Sequence, residues 1–311
     1  MKKLAVRCCP AVHEQNNYTK QIVILENMKT LEFKIEITAP KEKVWFSLWD
    51  DINYESWTRA FCEGSYAVSS WEEGAKIYFL DPKGSGMASK IIEKKPFDRM
   101  VFAHITEIID YKEQPLSEKI QSWSGCKEEY QLTEQNGVTT LKVTVESIEE
   151  YESFFSGMFP NALQNVKEIA ENPKTQSITV RTTLNAPIEK VWDYFTQPEH
   201  VVNWNFASDD WHCPKAENNL EVGKKFLSTM ASKDGATSFD FEGTYKAIVP
   251  QQKIAYTIDG DRRNVVVKFN VLDGKTILTE NFEPENENSI ELQRGGWQSI
   301  LDNFKKYTQN N

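Results

Sequence analysis

The sequence predicts an α+β protein of two tandem domains, each a curved antiparallel sheet wrapped around a long C-terminal helix. Three observations carry this. The segment TAPKEKVWFSLWDDINYESWT from Thr38 returns as NAPIEKVWDYFTQPEHVVNWN from Asn185, so Pro40/Pro187, Trp45/Trp192 and Trp57/Trp204 share an offset of 147. The closing segments FPNALQNVKEI and WQSILDNFKKY match at an offset of 138, through Phe159/Trp297, Leu163/Leu301 and Asn165/Asn303. Between them lie short alternating segments separated by Gly-containing turns, the pattern of an antiparallel sheet. A period this long marks a duplicated domain rather than a solenoid.

Each copy opens on an alternating strand, with Phe33, Ile35 and Ile37 in the first and Ile178 and Val180 in the second. Ala-Pro then starts a helix, because proline's missing N–H costs nothing in the first turn. That helix carries Val44, Trp45 and Leu48, matched by Val191, Trp192 and Phe195. Hairpin turns follow at Lys83-Gly84 and Asn136-Gly137, and at Asp234-Gly235 and Asp273-Gly274. In SFDFEGTY, Phe239, Phe241, Gly243 and Tyr245 share one face of a strand. Pro96 matches Pro250 at an offset of 154, whereas Gly137 matches Gly274 at 137. The first copy therefore holds about 17 extra residues, expected in the polar stretch from Tyr111 to Ser124. Last comes an amphipathic helix with Trp297, Ile300, Leu301, Phe304 and Tyr307 in one stripe. A sheet with one uncovered face and one long helix to cover it make a domain. The expected divisions are a disordered tail (1–27), a first domain (28–172), a linker (173–176) and a second domain (177–311). The space between sheet and helix should open near the first helices, with Trp57 and Trp204 at its mouth.

Composition narrows the function. The 311 residues are 40% hydrophobic and 12% aromatic, enough for two cores, and carry a formal net charge of -10. Residues 28–172 hold 16 Lys/Arg against 25 Asp/Glu, and residues 173–311 hold 16 against 19, so neither half is basic. That argues against a nucleic-acid partner, since phosphate binding needs a basic face. No apolar run approaches the roughly 18 residues of a membrane span, so no membrane partner is expected. At the N-terminus the run Leu4-Ala5-Val6 is cut by Arg7, too short for a signal peptide's apolar region. Met28 is a second candidate start. The five cysteines, Cys8, Cys9, Cys62, Cys126 and Cys213, are odd in number and form no C-x-x-C. They read as reduced thiols in a cytoplasmic protein. No metal-ligand spacing, phosphate-binding loop or nucleophile elbow occurs, so no cofactor or metal is expected.

Glu280 is the sharpest candidate for chemistry. In TILTENF, Leu278 and Phe282 face the core, and period two turns Glu280 inward with them. The first copy has Val143 at that place. A buried carboxylate without a partner is costly, which calls for a ligand or a raised pKa. The alternative is a slipped register with Glu280 in water. His212, in DDWHCP, is read as a loop residue over the cavity that binds a polar ligand group or acts as a base; the alternative is a histidine capping local turns. Trp204, Trp211, Phe239, Phe241, Tyr256, Trp297 and Leu301 are core residues that in a cavity-forming fold also line the pocket. In the first copy Trp57, Phe61, Phe79, Phe102 and Trp123 play that part, without a matching carboxylate. Arg262-Arg263 reads as a solvated turn.

These residues resemble the SRPBCC superfamily, also called the START-like or helix-grip fold. Within it the chain is similar to the group related to the C-terminal domain of the activator of the heat-shock-protein-90 ATPase. NWNFASDDWHCP, FDFEGTY and RGGWQSILDNFKKY carry the likeness in the second copy. The first copy keeps AP-x-EKVW and the closing helix but has SFFSGMFPN in place of LQRGGWQS. The resemblance implies two tandem helix-grip domains, and members that bind lipids, sterols, polyketides or hormones. The leading expectation is binding of a small hydrophobic or amphipathic molecule, mainly in the second domain, without catalysis. One alternative is a cyclase- or hydrolase-type enzyme using Glu280 and His212. Another is a protein-interaction or co-chaperone-like role. The family's co-chaperone activity depends on a different N-terminal domain, whose place a second copy takes here.

Overall fold

The computed structural model describes residues 28–172 and 177–311. The expected tail and linker lie outside the described residues. The chain folds into two tandem α+β domains of the helix-grip type, as the repeat implies.

The first domain runs β1 (Met28–Ile37), α1 (Lys41–Trp49), α2 (Asp51–Thr58), β2 (Tyr66–Ser69), β3 (Lys76–Leu80), β4 (Gly86–Lys95), β5 (Arg99–Ile109), β6 (Lys112–Glu113), α3 (Glu118–Gln121), β7 (Lys127–Gln135), β8 (Val138–Ile148) and α4 (Glu149–Glu171). The second runs β9 (Ile178–Leu184), α5 (Ile188–Thr196), α6 (Pro198–Val201), β10 (Trp211–Asn218), β11 (Lys225–Ser232), β12 (Ser238–Val249), β13 (Lys253–Ile258), β14 (Asn264–Leu272), β15 (Lys275–Phe282) and α7 (Ile290–Asn310). The extra residues of the first copy form β6 and α3.

Both sheets have one topology. The first orders its strands β1-β8-β7-β5-β4-β3-β2, with β6 paired to β5, and the second orders them β10-β11-β12-β13-β14-β15-β9. Read from the opposite edge, the second order is the first with each strand replaced by its repeat partner. The registers agree as well. Val143 stands opposite Phe33 and Tyr130, and Glu280 stands opposite Val180 and Val267.

Local sequence explains the elements. The β8 strand alternates strictly between buried and half-buried residues, so one face meets the core. Its hairpin turns at Asn136 and Gly137, both with positive φ, and the matching turn at Asp273-Gly274 does the same. A two-residue hairpin of this type needs that geometry, which Asn-Gly and Asp-Gly supply most readily. Helix α7 is capped by Ser289, whose Oγ accepts from the Leu292 N–H at 3.2 Å. Each long helix then lays its apolar stripe in the curve of its sheet. Among the described residues no helix is long and apolar enough to cross a membrane.

The repeated tryptophans sit deeper than expected. Trp57 and Trp204 are 2% and 4% exposed, so neither marks a mouth. Each indole N–H is used internally, by Leu48 O at 2.9 Å and by Tyr194 O at 3.0 Å. Trp204 stacks on Phe195 and meets Phe304 of α7 at 4.8 Å. Its part is to lock the short helices to the long one.

Candidate ligand-binding cavity

A cavity of about 890 Å³ lies between the inner face of the second sheet and α7. Trp204, Phe226, Phe241, Tyr256 and Trp297 supply much of its wall, and Glu280 opens into it. The strand parity that places Leu278 and Phe282 in the core brings Glu280 inward too, and it is 6% exposed. Among the described residues its carboxyl has no hydrogen bond or ion pair. Burial alone pushes its pKa up, from an ordinary 4.5 to about 8. The carboxyl is therefore mostly protonated at neutral pH. Across from it, burial and then the Glu280 charge hold the Tyr256 phenol well above its usual range.

The wall is built with little slack. A Cβ added at Gly243 would stand 2.5 Å from the Phe226 ring, so only glycine lets that ring lie flat on β12. The Phe226 ring meets Tyr256 edge-on at 4.9 Å. Trp297 stacks on Phe282 at 4.0 Å, which fixes the helix side of the cavity.

The expected site residues divide. Trp204, Phe239, Phe241, Tyr256, Glu280 and Trp297 line the cavity, whereas Trp211, His212 and Leu301 do not. Leu301 is fully buried in the core behind the wall. Phe239 is 53% exposed at the rim, where it meets Trp211 edge-on at 5.8 Å. His212 is not in a loop: it lies on the edge strand β10, paired with Ala231. Its Nδ1 is buried without a hydrogen-bond partner. Among the described residues no histidine lines the cavity, so Glu280 and His212 do not converge there.

Sequence reasoning missed two features. Arg263 is not a solvated turn residue: its side chain is 17% exposed, pairs with Asp261 and donates to Glu283 O at 3.1 Å. Both Asp261 and Arg263 line the cavity. The first domain also holds an inward carboxyl after all. Tyr130 donates its hydroxyl to Glu128, and His104 Nε2 lies 3.7 Å from that carboxyl. His104 Nδ1 in turn is 2.9 Å from Ser89 Oγ. Burial lowers the His104 pKa to about 4, which keeps the ring neutral, and raises that of Glu128. Ser89 is fully buried and His104 nearly so, so the Ser89–His104 end of this chain of contacts is shut off from solvent, while the Glu128 side chain is 17% exposed. Trp123, expected in the main core, belongs to a satellite cluster with Ile120 and Cys126 in the insertion.

The profile of the family described as "Activator of Hsp90 ATPase homolog 1-like protein" matches residues 185–309. No curated protein matches the chain. An AHSA1-like protein from Aeromonas hydrophila is 36% identical over 43% of this chain and 93% of its own, with a TM-score of 0.42. A protein from Cytophaga hutchinsonii is 48% identical over 43% of this chain and 93% of its own, with a TM-score of 0.39. The di-domain ARO/CYC protein BexL, from the BE-7585A biosynthetic pathway, spans 91% of this chain and 98% of its own at 12% identity, with a TM-score of 0.37.

Proposed function

The chain belongs, through its second domain, to the family of activator of Hsp90 ATPase homolog 1-like proteins within the helix-grip fold, and from this we propose that it binds a small hydrophobic or amphipathic molecule in that domain. One observation carries the reading: an aromatic-walled cavity of about 890 Å³ contains a single buried carboxyl with no partner of its own among the described residues. Apolar wall area supplies the drive for binding, and a few polar groups set orientation. Glu280 fixes the ligand's polar group deep inside. Asp261 and Arg263 contact whatever part of the ligand lies nearest the rim.

Catalysis by Glu280 and His212 is not favoured, because His212 lies outside the cavity lining. The chaperone-activating role in the family's name is not carried over either, since nothing in the cavity's chemistry calls for a protein partner. Native mass spectrometry of the full chain from its own host tests the proposal. The expected result is one small-molecule adduct, lost in Glu280→Val. A bare protein mass, with tryptophan emission unmoved by a lipid extract of the host, would sink it.

A further inference from the structure

Matched registers let the two copies be compared residue by residue. Tyr130, opposite Val143, corresponds to Val267, opposite Glu280. Phe79, opposite Met87, corresponds to Ser228, opposite Phe241, because β4 and β12 align at the offset set by Pro96 and Pro250. Trp49 ends α1 as Thr196 ends α5. Tyr54 and Val201 each donate a backbone N–H to the fourth residue before, Asp50 and Gln197. At four corresponding places, then, the first copy has a large aromatic and the second a small side chain.

In the first domain these four side chains form part of one ring cluster. Trp49 meets Tyr130 at 4.9 Å, and Tyr54 stacks on Phe79 at 6.2 Å. Phe102 joins the halves, 5.6 Å from Trp49 and 5.3 Å from Phe79. In the second domain Thr196, Val201 and Ser228 line the cavity, and Val267 is fully buried. Some bulk is added there, as Phe226 for Ile77 and Ile300 for Ala162, yet about 890 Å³ stays open. Protein interiors otherwise pack at crystal-like density, so an open cavity this size beside positions where rings give way to small side chains reads as a built feature.

We propose that Thr196, Val201 and Ser228 in the lining, together with Val267, which does not line the cavity but pairs across the strands with Glu280, set the size and shape of the binding site, and that its occupant is a ring-bearing molecule with a hydroxyl or N–H group. The inference rests on the cavity reading above. The rings of the ligand take the place held in the first domain by Trp49, Tyr54, Phe79 and Tyr130. Its donor group takes the part of the Tyr130 hydroxyl, which satisfies Glu128 in the first domain. Glu280 pairs across the strands with Val267, the position from which that ring is missing, and has no donor of its own among the described residues. The first domain is on this view a self-filled copy whose own side chains occupy the ligand space.

The test uses the full chain and N-phenyl-1-naphthylamine, a neutral aromatic probe with one N–H, followed by fluorescence titration. Wild type is expected to bind one equivalent. Val201→Tyr and Ser228→Phe, which restore first-copy rings, are each expected to weaken binding at least tenfold while leaving the melting temperature unchanged or higher. Should Ser228→Phe fail to fold, Val201→Tyr carries the test. If wild type binds and the folded variants bind equally well, the four positions do not shape the site and this inference falls, while the cavity reading stands. If wild type binds no probe, the cavity reading falls and this inference with it.

Discussion

Glu280 links burial to pH. Its folded pKa is raised to about 8 from an ordinary 4.5. A raised acid favours the folded state only while it stays protonated. Below about 4.5 both states hold the proton and no penalty exists. Between about 4.5 and about 8 the unfolded chain ionises while the folded one does not, so stability falls as pH rises. Each tenfold difference in proton affinity is worth roughly 1.4 kcal/mol, so the penalty across that window is about 5 kcal/mol. Glu280→Gln should remove that slope, and denaturant unfolding at pH 5 and pH 8 measures it. Equal slopes for variant and wild type would show that Glu280 does not titrate as a buried group. The inward turn of Glu280 was legible because Leu278 and Phe282 fix the strand's phase. Glu128 was not, because Glu128-Glu129 fit either phase, and only the position of Tyr130 decides between them. His212 failed for a related reason: an aromatic beside a histidine carries no period, so the edge strand there looked like a loop.

At the scale of elements, the repeat made order and type readable, because two noisy patterns had to agree. The start of α7 was less readable. The helical stripe begins at Trp297, but the helix begins at Ile290 and runs through Gly295 and Gly296, which sequence alone reads as a break. Neither glycine has a positive φ, and a Cβ at either would meet nothing within 4 Å. Glycine there only adds freedom to the unfolded chain. Gly295→Ala should therefore raise stability by ~0.5–1 kcal/mol, read as a higher denaturant midpoint. A lowered midpoint would mean that the pair is needed for the helix to sit as it does. In α4 the opposite irregularity occurs: Pro160 lies inside the helix and removes one backbone bond. Gln298, its counterpart, instead ties α7 to β9 through the Arg181 backbone, at 3.2 Å and 3.0 Å.

The whole molecule is held together by a contact between domains that nothing in the repeat announced, since the residues involved are those the copies do not share. Arg294 of α7 pairs with both oxygens of Asp50, at 2.8 Å and 3.2 Å, donates to Thr179 O at 2.7 Å, and lies 3.7 Å from the centre of the Phe46 ring. Arg181 pairs with Asp51 at 2.9 Å. Beside them, Val68, Leu80, Ala88 and Ile108 form one apolar cluster with Leu272 and Ile277. Asp50 is buried, which raises its pKa, and Arg294 opposes that rise. Removing one partner of such a pair strands the other charge, at a cost of about 3–5 kcal/mol. Asp50→Ala should lose stability of that order, and should split a single unfolding transition into two as the domains uncouple. A single transition at the wild-type midpoint would show that the apolar cluster suffices.

That contact is made by different faces of the two copies, which is the kind of joint that can propagate into a filament when its two halves recur at each end. Here they do not recur. The places corresponding to Asp50 and Asp51 are Gln197 and Pro198, and those corresponding to Arg181 and Arg294 are Lys34 and Ser156. An arginine fork would meet Gln197 and Pro198 in place of the two aspartates, and at the matching positions of the first copy Lys34 and Ser156 offer no fork. The differences that join the two copies thus also keep this particular joint from repeating: its ion pairs have no counterpart at the corresponding positions of the outer faces.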